Sequence, residues 1–343
     1  MSFKRFDAED LVISAEPVAQ PIWSTGEVEL TAFFTSSVQE QEASGKYYLD
    51  VYHLDPATEI AADIQFSIAY GHKTGGGSLL YNSNVTEKSP ASSIYGQYRT
   101  LVLGDEDAEF YFGGVAQTYF YAIAFDRDRY KEALLAGSFE LTLSDGTNTL
   151  TLIDDSKVSS TVVNTDAGRI YQIVSGSLVD GIDDTTYNAN GYSSAAGSYG
   201  LLIPSIGVIL LNGAALDAAV NAGGLALGTV TTGNTDGANP AKLYTVMDDS
   251  AAQSFKLNSQ ETISSQFVFV RARNSEFNYS TNPSNITGSG DLRHDAMVNA
   301  PQSYVTAVGL YNDNNELLAV AKLSRPLLKD FTKEALIRVK LDF

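Results

Sequence analysis

The residues able to do chemistry are few, and their spacing argues against most reactions. The 343-residue chain has three histidines and no cysteine. A thiolate metal site, a cysteine nucleophile and a disulfide scaffold are therefore excluded together. His53, His72 and His294 lie far apart, in no HExxH or triad-like setting. The run GHKTGGGS at 71–78 approaches a phosphate loop, but Gly77 stands where the P-loop lysine belongs and Lys73 comes too early. Gly288-Ser-Gly290-Asp-Leu-Arg293 lacks the third glycine of a dinucleotide fingerprint. Asn188-Ala-Asn190-Gly191 resembles part of a calcium loop, yet Thr186 replaces its first Asp and Gly197 its bidentate Glu. Carboxylates abound, with 41 Asp and Glu. A glycosidase pair would need two of them roughly 5–9.5 Å apart in a cleft, and nothing in the sequence singles two out. No cofactor, no metal and no catalytic residue is expected.

The elements that would position such groups are mostly strands. Ile64, Phe66, Ile68 and Tyr70 alternate with small or polar residues, as do Phe139, Leu141 and Leu143. Asp145-Gly146 then leads to Leu150 and Leu152, a hairpin signal. A strand is expected at 206–211. Helices are expected at 128–136, at 214–221 ending at Gly223 or Gly224, and as a turn after Pro326 within 326–335. The predicted fold is mainly β: antiparallel β-sandwich-like domain(s) with few short helices and a Gly/Ala/Asn-rich middle region. Three zones follow: an N-terminal β domain at 1–155, a loop-rich middle region or inserted domain at 156–255, and a C-terminal β-hairpin region at 256–343.

Charge and aromatic content narrow the partners. The net charge of −19 should repel nucleic acid. Asp7, Glu9 and Asp10 stand where a signal peptide would be apolar, so synthesis in the cytoplasm is expected. The apolar stretch 201–228 is interrupted by Pro204, Asn212, Asp217 and Asn221, so no membrane span is expected. The 19 Tyr and 16 Phe suit strands and protein interfaces. The runs 110–112 and 119–121 are consecutive aromatics, which predicts strands covered on both faces.

The segment YVTAVGLYNDNNELLAVAKLS (304–324) reads as a hairpin with its turn at Asn312–Asn315. It resembles hairpins of bacteriophage tail, tail-fibre and baseplate proteins. RARNSEFNYSTNPSNITGSGDLR (271–293) and KLSRPLLKDFTKEALIRVKLDF (322–343) are similar to the C-terminal region of virion structural proteins of T-even-like myoviruses, notably cyanophages. SSIYGQYRTLVL (92–103) and YFYAIAFDRDRYKEALLAGSFELTLS (119–144) are similar to the same group. About half the chain carries the resemblance, and 156–255 carries none. It implies a non-enzymatic structural component of a contractile-tailed phage particle, in the tail, baseplate or neck. The implied localisation is the virion, and the partners are other virion proteins and copies of the chain itself. A receptor- or glycan-binding module of the tail is the alternative, and a polysaccharide depolymerase a third.

Assembly contacts are expected at the two ends. Phe3 and Phe6 flank Lys4-Arg5 in an N-terminal arm. Ile337, Val339, Leu341 and Phe343 form one apolar strand face, with Arg338 and Lys340 opposite. Such a strand can join a neighbour's sheet edge.

Overall fold

The computed structural model describes residues 4–35, 47–78, 81–82, 84–85, 88–158, 163–182, 196–235, 237–249 and 253–342. In chain order its strands are β1 (Leu11–Pro21), β2 (Glu29–Leu30), β3 (Phe34–Thr35), β4 (Tyr48–Tyr52), β5 (Ile64–His72), β6 (Phe110–Phe112), β7 (Val115–Gln117), β8 (Tyr119–Ala124), β9 (Ala133–Leu134), β10 (Glu140–Ser144), β11 (Thr149–Asp154), β12 (Val163–Thr165), β13 (Gly168–Ser177), β14 (Gly181–Ile182), β15 (Gly200–Ile203), β16 (Val208–Asn212), β17 (Ser254–Lys256), β18 (Asn258–Ala272), β19 (Gln302–Tyr311), β20 (Leu317–Asp330) and β21 (Ala335–Asp342). The α-helices are α1 (Pro90–Leu103), α2 (Gly213–Asp217), α3 (Ala238–Met247) and α4 (Asp295–Asn299). The protein is mainly β, with a large antiparallel curled sheet and few short helices.

The chain divides into two compact units, 18–261 and 1–17 with 262–343. This division differs from the three sequence zones at 1–155, 156–255 and 256–343. Strands of the first two zones interleave in one sheet, ordered β2-β17-β10-β11-β13-β15-β16-β8-β5-β4-β3, with β12 and β14 on β13. The middle zone supplies the centre of that sheet, because β15 and β16 are apolar on both faces.

The sheet of the larger unit separates two cores. On one face Trp23, Phe66, Phe125 and Phe255 pack with Leu49, Ile68, Ile123 and Leu141. Trp23 lies 5.0 Å from Phe255 and 6.3 Å from Phe66, centroid to centroid. On the other face Tyr95 and Val102 of α1 pack on Phe120, Ala122, Leu201 and Leu210. Adjacent residues of β8 thus serve opposite cores, Tyr121 one and Phe120 the other, as consecutive aromatics require. The run 110–112 behaves otherwise: Phe110 and Phe112 are fully buried, while Tyr111 is 57% exposed.

Local signals explain α1. Ser89 caps it, accepting from the Ser92 amide, Pro90 opens its first turn, and Gly104 closes it in the left-handed region. The helix lies close to the sheet at Gly71, where an added Cβ would stand 3.0 Å from the Phe120 ring and 3.2 Å from the Tyr95 amide.

The smaller unit is a second, thinner sandwich. Within it β18 pairs β21 antiparallel, from Ser265↔Asp342 to Ala272↔Ala335. The β19–β20 hairpin supplies the other layer. Between them lie Val268, Val308, Leu310 and Val339, flanked by Val270, Ile337 and Leu341. The hairpin turns at Asn312, whose side-chain oxygen accepts from the amides of Asn314 and Glu316 at 3.0 and 2.8 Å.

Two expected helices are absent. Residues 128–136 form turns leading into β9, with Leu134 buried and paired to Ser259 of β18. Burial and pairing override the helix propensity of the Lys-Glu-Ala-Leu-Leu-Ala run. Residues 326–335 continue β20, turn at 331–332 and enter β21. The expected helix at 214–221 is shorter, α2 followed by a 3-10 turn at Val220–Ala222.

Candidate functional site

The C-terminal strand has the predicted two faces. Val339 is buried, and Ile337 and Leu341 pack beside it on the core of the smaller unit. Arg338 and Lys340 point the other way, flanking the Phe267 ring at 5.6 and 5.9 Å. Lys340 also pairs with Asp342 at 3.0 Å, and Asp342 accepts from the Ser265 hydroxyl at 2.6 Å. That hydroxyl, then Lys340, holds the Asp342 carboxyl below its ordinary value. Phe6 is 45% exposed. Its neighbour Lys4 is tied to Glu276 at 2.9 Å and to the Arg271 carbonyl at 2.7 Å. Phe3 and Phe343 lie outside the described residues.

The edges of this sheet differ. Its order is β1-β18-β21, so β1 and β21 are its margins. β1 contains Pro17 and Pro21, which cannot donate to a ladder. β21 has no proline, and among the described residues no strand pairs with its outer edge. Exposed apolar side chains accompany it: Leu336 on β21, Phe331 in the preceding turn, and Tyr304, Leu318 and Val320 on the hairpin.

Sequence reasoning missed a buried cation in the same unit. Lys329 is fully buried, and its ammonium donates to Asn278 Oδ1 at 2.6 Å and to the carbonyls of Asp330 and Asn274 at 2.9 and 3.1 Å. All three acceptors are neutral. Asn278 is therefore an internal hydrogen-bonding group.

In the larger unit the glycine-rich loop at 75–77 serves packing. Gly77 has φ +71°, and an added Cβ would lie 1.7 Å from the Val230 carbonyl oxygen. Asn239, fully buried, binds the carbonyls of Gly77 and Val230 at 2.8 Å each. Nearby, Asp217 accepts from Tyr119 at 2.9 Å and from the Thr229 amide and hydroxyl at 2.8 Å. Burial, then this carboxylate, pushes the Tyr119 hydroxyl well above its ordinary value. His72 stacks on Tyr119, and its Nδ1 accepts from the Thr74 amide at 3.2 Å. Burial lowers its imidazole below 6.5. These groups hold the 228–235 loop against the sheet.

A groove of about 920 Å³ lies between α1 and the β4–β5 part of the sheet. Its floor follows from register. Asp50, Ser67 and Ala124 form one row across β4, β5 and β8, and Tyr48 and Ala69 lie in the next. Helix residues Ser93, Ile94, Gln97 and Tyr98, at i and i+4 spacing, form the facing wall. The floor residues Ser67, Ala69 and Ala124 are too small to fill the gap beneath the helix. The Ser67 hydroxyl donates to Asp50 at 2.6 Å. Burial pushes the Tyr98 hydroxyl up. The single Trp is in the core, so any exposed aromatic platform here is made of tyrosine.

Among the described residues no group of three or more His, Asp or Glu could hold a metal, and no helix is long and apolar enough to cross a membrane. Most of the calcium-like stretch 186–197 lies outside the described residues. No protein-family model, curated protein or solved structure matches the chain.

Proposed function

We propose that the chain is a non-enzymatic structural component of a contractile-tailed bacteriophage particle, in its tail, baseplate or neck, acting through protein–protein assembly. Its partners in this reading are other virion proteins and copies of itself. The observation that carries the reading is the smaller unit's surface. Half of the exposed large apolar side chains among the described residues belong to this unit, which has well under half of the chain. Beside them runs the unpaired edge of β21. An exposed edge without proline or bulge is a template for another strand, and soluble proteins usually blunt one. Repeated contacts in a particle would cover both features. The resemblance of 304–324 to hairpins of phage tail proteins, and of 271–293 and 322–343 to myovirus structural proteins, supports the same reading.

Quantitative mass spectrometry and labelling of purified particles test it. The chain should be present at a fixed copy number and at a defined position in the tail, baseplate or neck. Absence from purified particles, or glycan hydrolysis by the isolated chain that a carboxylate substitution abolishes, would contradict it.

A further inference from the structure

We propose that the groove between α1 and strands β4 and β5 of the larger unit binds an uncharged oligosaccharide. The inference stands apart from the particle role, since it concerns the other unit and other residues. At about 920 Å³ the groove is within the range of ligand sites. Its chemistry excludes several occupants. Asp50 and Asp126 line it against one cation, Lys88, and the whole chain carries −19, so a polyanion is repelled. Asp50, Ser67, Ser93 and Gln97 make the walls too polar for a purely apolar ligand. An extended peptide recognised by strand addition needs free backbone groups. The floor strand β5 is paired on both sides across Ser67–Ala69, by β4 and by β8, and offers none.

What remains matches a sugar ring. Tyr48 is 44% exposed, and Tyr98 is half-buried on the opposite wall. Tyrosine presents an apolar ring face with a polar tip, which suits a ligand having a C–H face and a rim of hydroxyls. Gln97 is exposed, and neither its amide nor the Tyr48 and Tyr98 hydroxyls have a hydrogen-bond partner among the described residues. These groups retain both donors and acceptors for ligand hydroxyls. The small floor residues Ser67, Ala69 and Ala124 let a ring approach the sheet.

The test uses the full chain with a panel of neutral and anionic oligosaccharides at millimolar concentration, read by saturation-transfer NMR and titration calorimetry. At least one neutral oligosaccharide should bind. Tyr48→Ala and Gln97→Ala should each weaken it by about tenfold, as expected for central contacts. Ser93→Trp, at an exposed position of the groove's helix wall, should block it without unfolding the chain. Tyr111→Ala, an exposed tyrosine on β6, should leave it unchanged. Failure of every neutral oligosaccharide to bind, preference for anionic ones, or binding that survives both Tyr48→Ala and Ser93→Trp would overturn the proposal.

Discussion

The two units solve the burial problem differently. The larger one builds cores on both faces of a single sheet, with interlocked rings on one side and a helix on the other. The smaller one has a thin core of four buried residues and leaves large apolar side chains outside. Each large apolar side chain buried contributes about 1.5–3 kcal/mol. The first unit therefore draws its stability from within. The second leaves much of its large apolar area exposed. In the proposed reading, this contrast assigns assembly to the thinner unit.

The largest expected effect tests that contrast directly. Phe255 touches Trp23, Phe66, Phe125 and Phe139, with centroids 5.0–6.0 Å apart. Phe255→Ala should cost about 3–5 kcal/mol. Leu310→Ala in the smaller unit should fall near the low end of the ~2–5 kcal/mol range, because its surroundings can relax. Denaturant unfolding followed by peptide-resolved hydrogen exchange measures both. Equal costs would erase the distinction.

Gly77→Ala should cost about 1–3 kcal/mol from the left-handed backbone alone. The close Val230 carbonyl adds to this, and loosening should appear first in the 228–235 loop by hydrogen exchange. Lys329→Met probes the smaller unit. It removes the donor shared by Asn278 and two carbonyls and should cost about 1–3 kcal/mol for the acceptors left unsatisfied. A neutral result in thermal unfolding would show that water replaces the ammonium without loss.

Acid should separate the units more gently. The His72 imidazole is held below 6.5 by burial, so its contribution is complete above about 6.5. It is lost as pH falls from there through the folded-state value, because the unfolded chain takes up the proton first. In the smaller unit the carboxyls of Glu276, Asp330 and Asp342 are held low, each first by a hydrogen bond: from the Arg273 amide, the Thr332 hydroxyl and the Ser265 hydroxyl respectively. Their contributions are present above about pH 4 and are lost as pH falls through the lowered values. Hydrogen exchange corrected for intrinsic rate should show peptides around His72 loosening as pH falls below about 6.5, before the smaller unit's carboxyls respond below about pH 4. Simultaneous loosening would contradict the assignment.

Much of the strand pattern was legible in sequence. The Asp145-Gly146 hairpin appears as Ser144↔Thr149 pairing, and the alternation over 337–342 as the two faces of β21. Alternation is local and survives folding. The misread helix at 128–136 shows the limit, since Leu134 is claimed by a strand more than a hundred residues away. Helix α1 carried its capping signals openly in Ser89, Pro90 and Gly104, but its Ser- and Tyr-rich body hid the helical period. The groove was not legible. It depends on which small residues of β4, β5 and β8 come into register, and periodicity within one strand does not contain that information.

The central claim, assembly through the smaller unit, is tested most directly by the copy number of a charge-reversed chain in particles. Arg338→Glu with Lys340→Glu alters two exposed groups, and the one ion pair it removes, Lys340 with Asp342, is itself exposed and contributes little to folding. The variant should keep wild-type circular dichroism and hydrogen exchange. Supplied in place of the wild-type chain, it should be absent or strongly depleted from purified particles. Incorporation of the folded variant at wild-type copy number would contradict the account, leaving the basic face of β21 a solvated strand surface with no part in assembly.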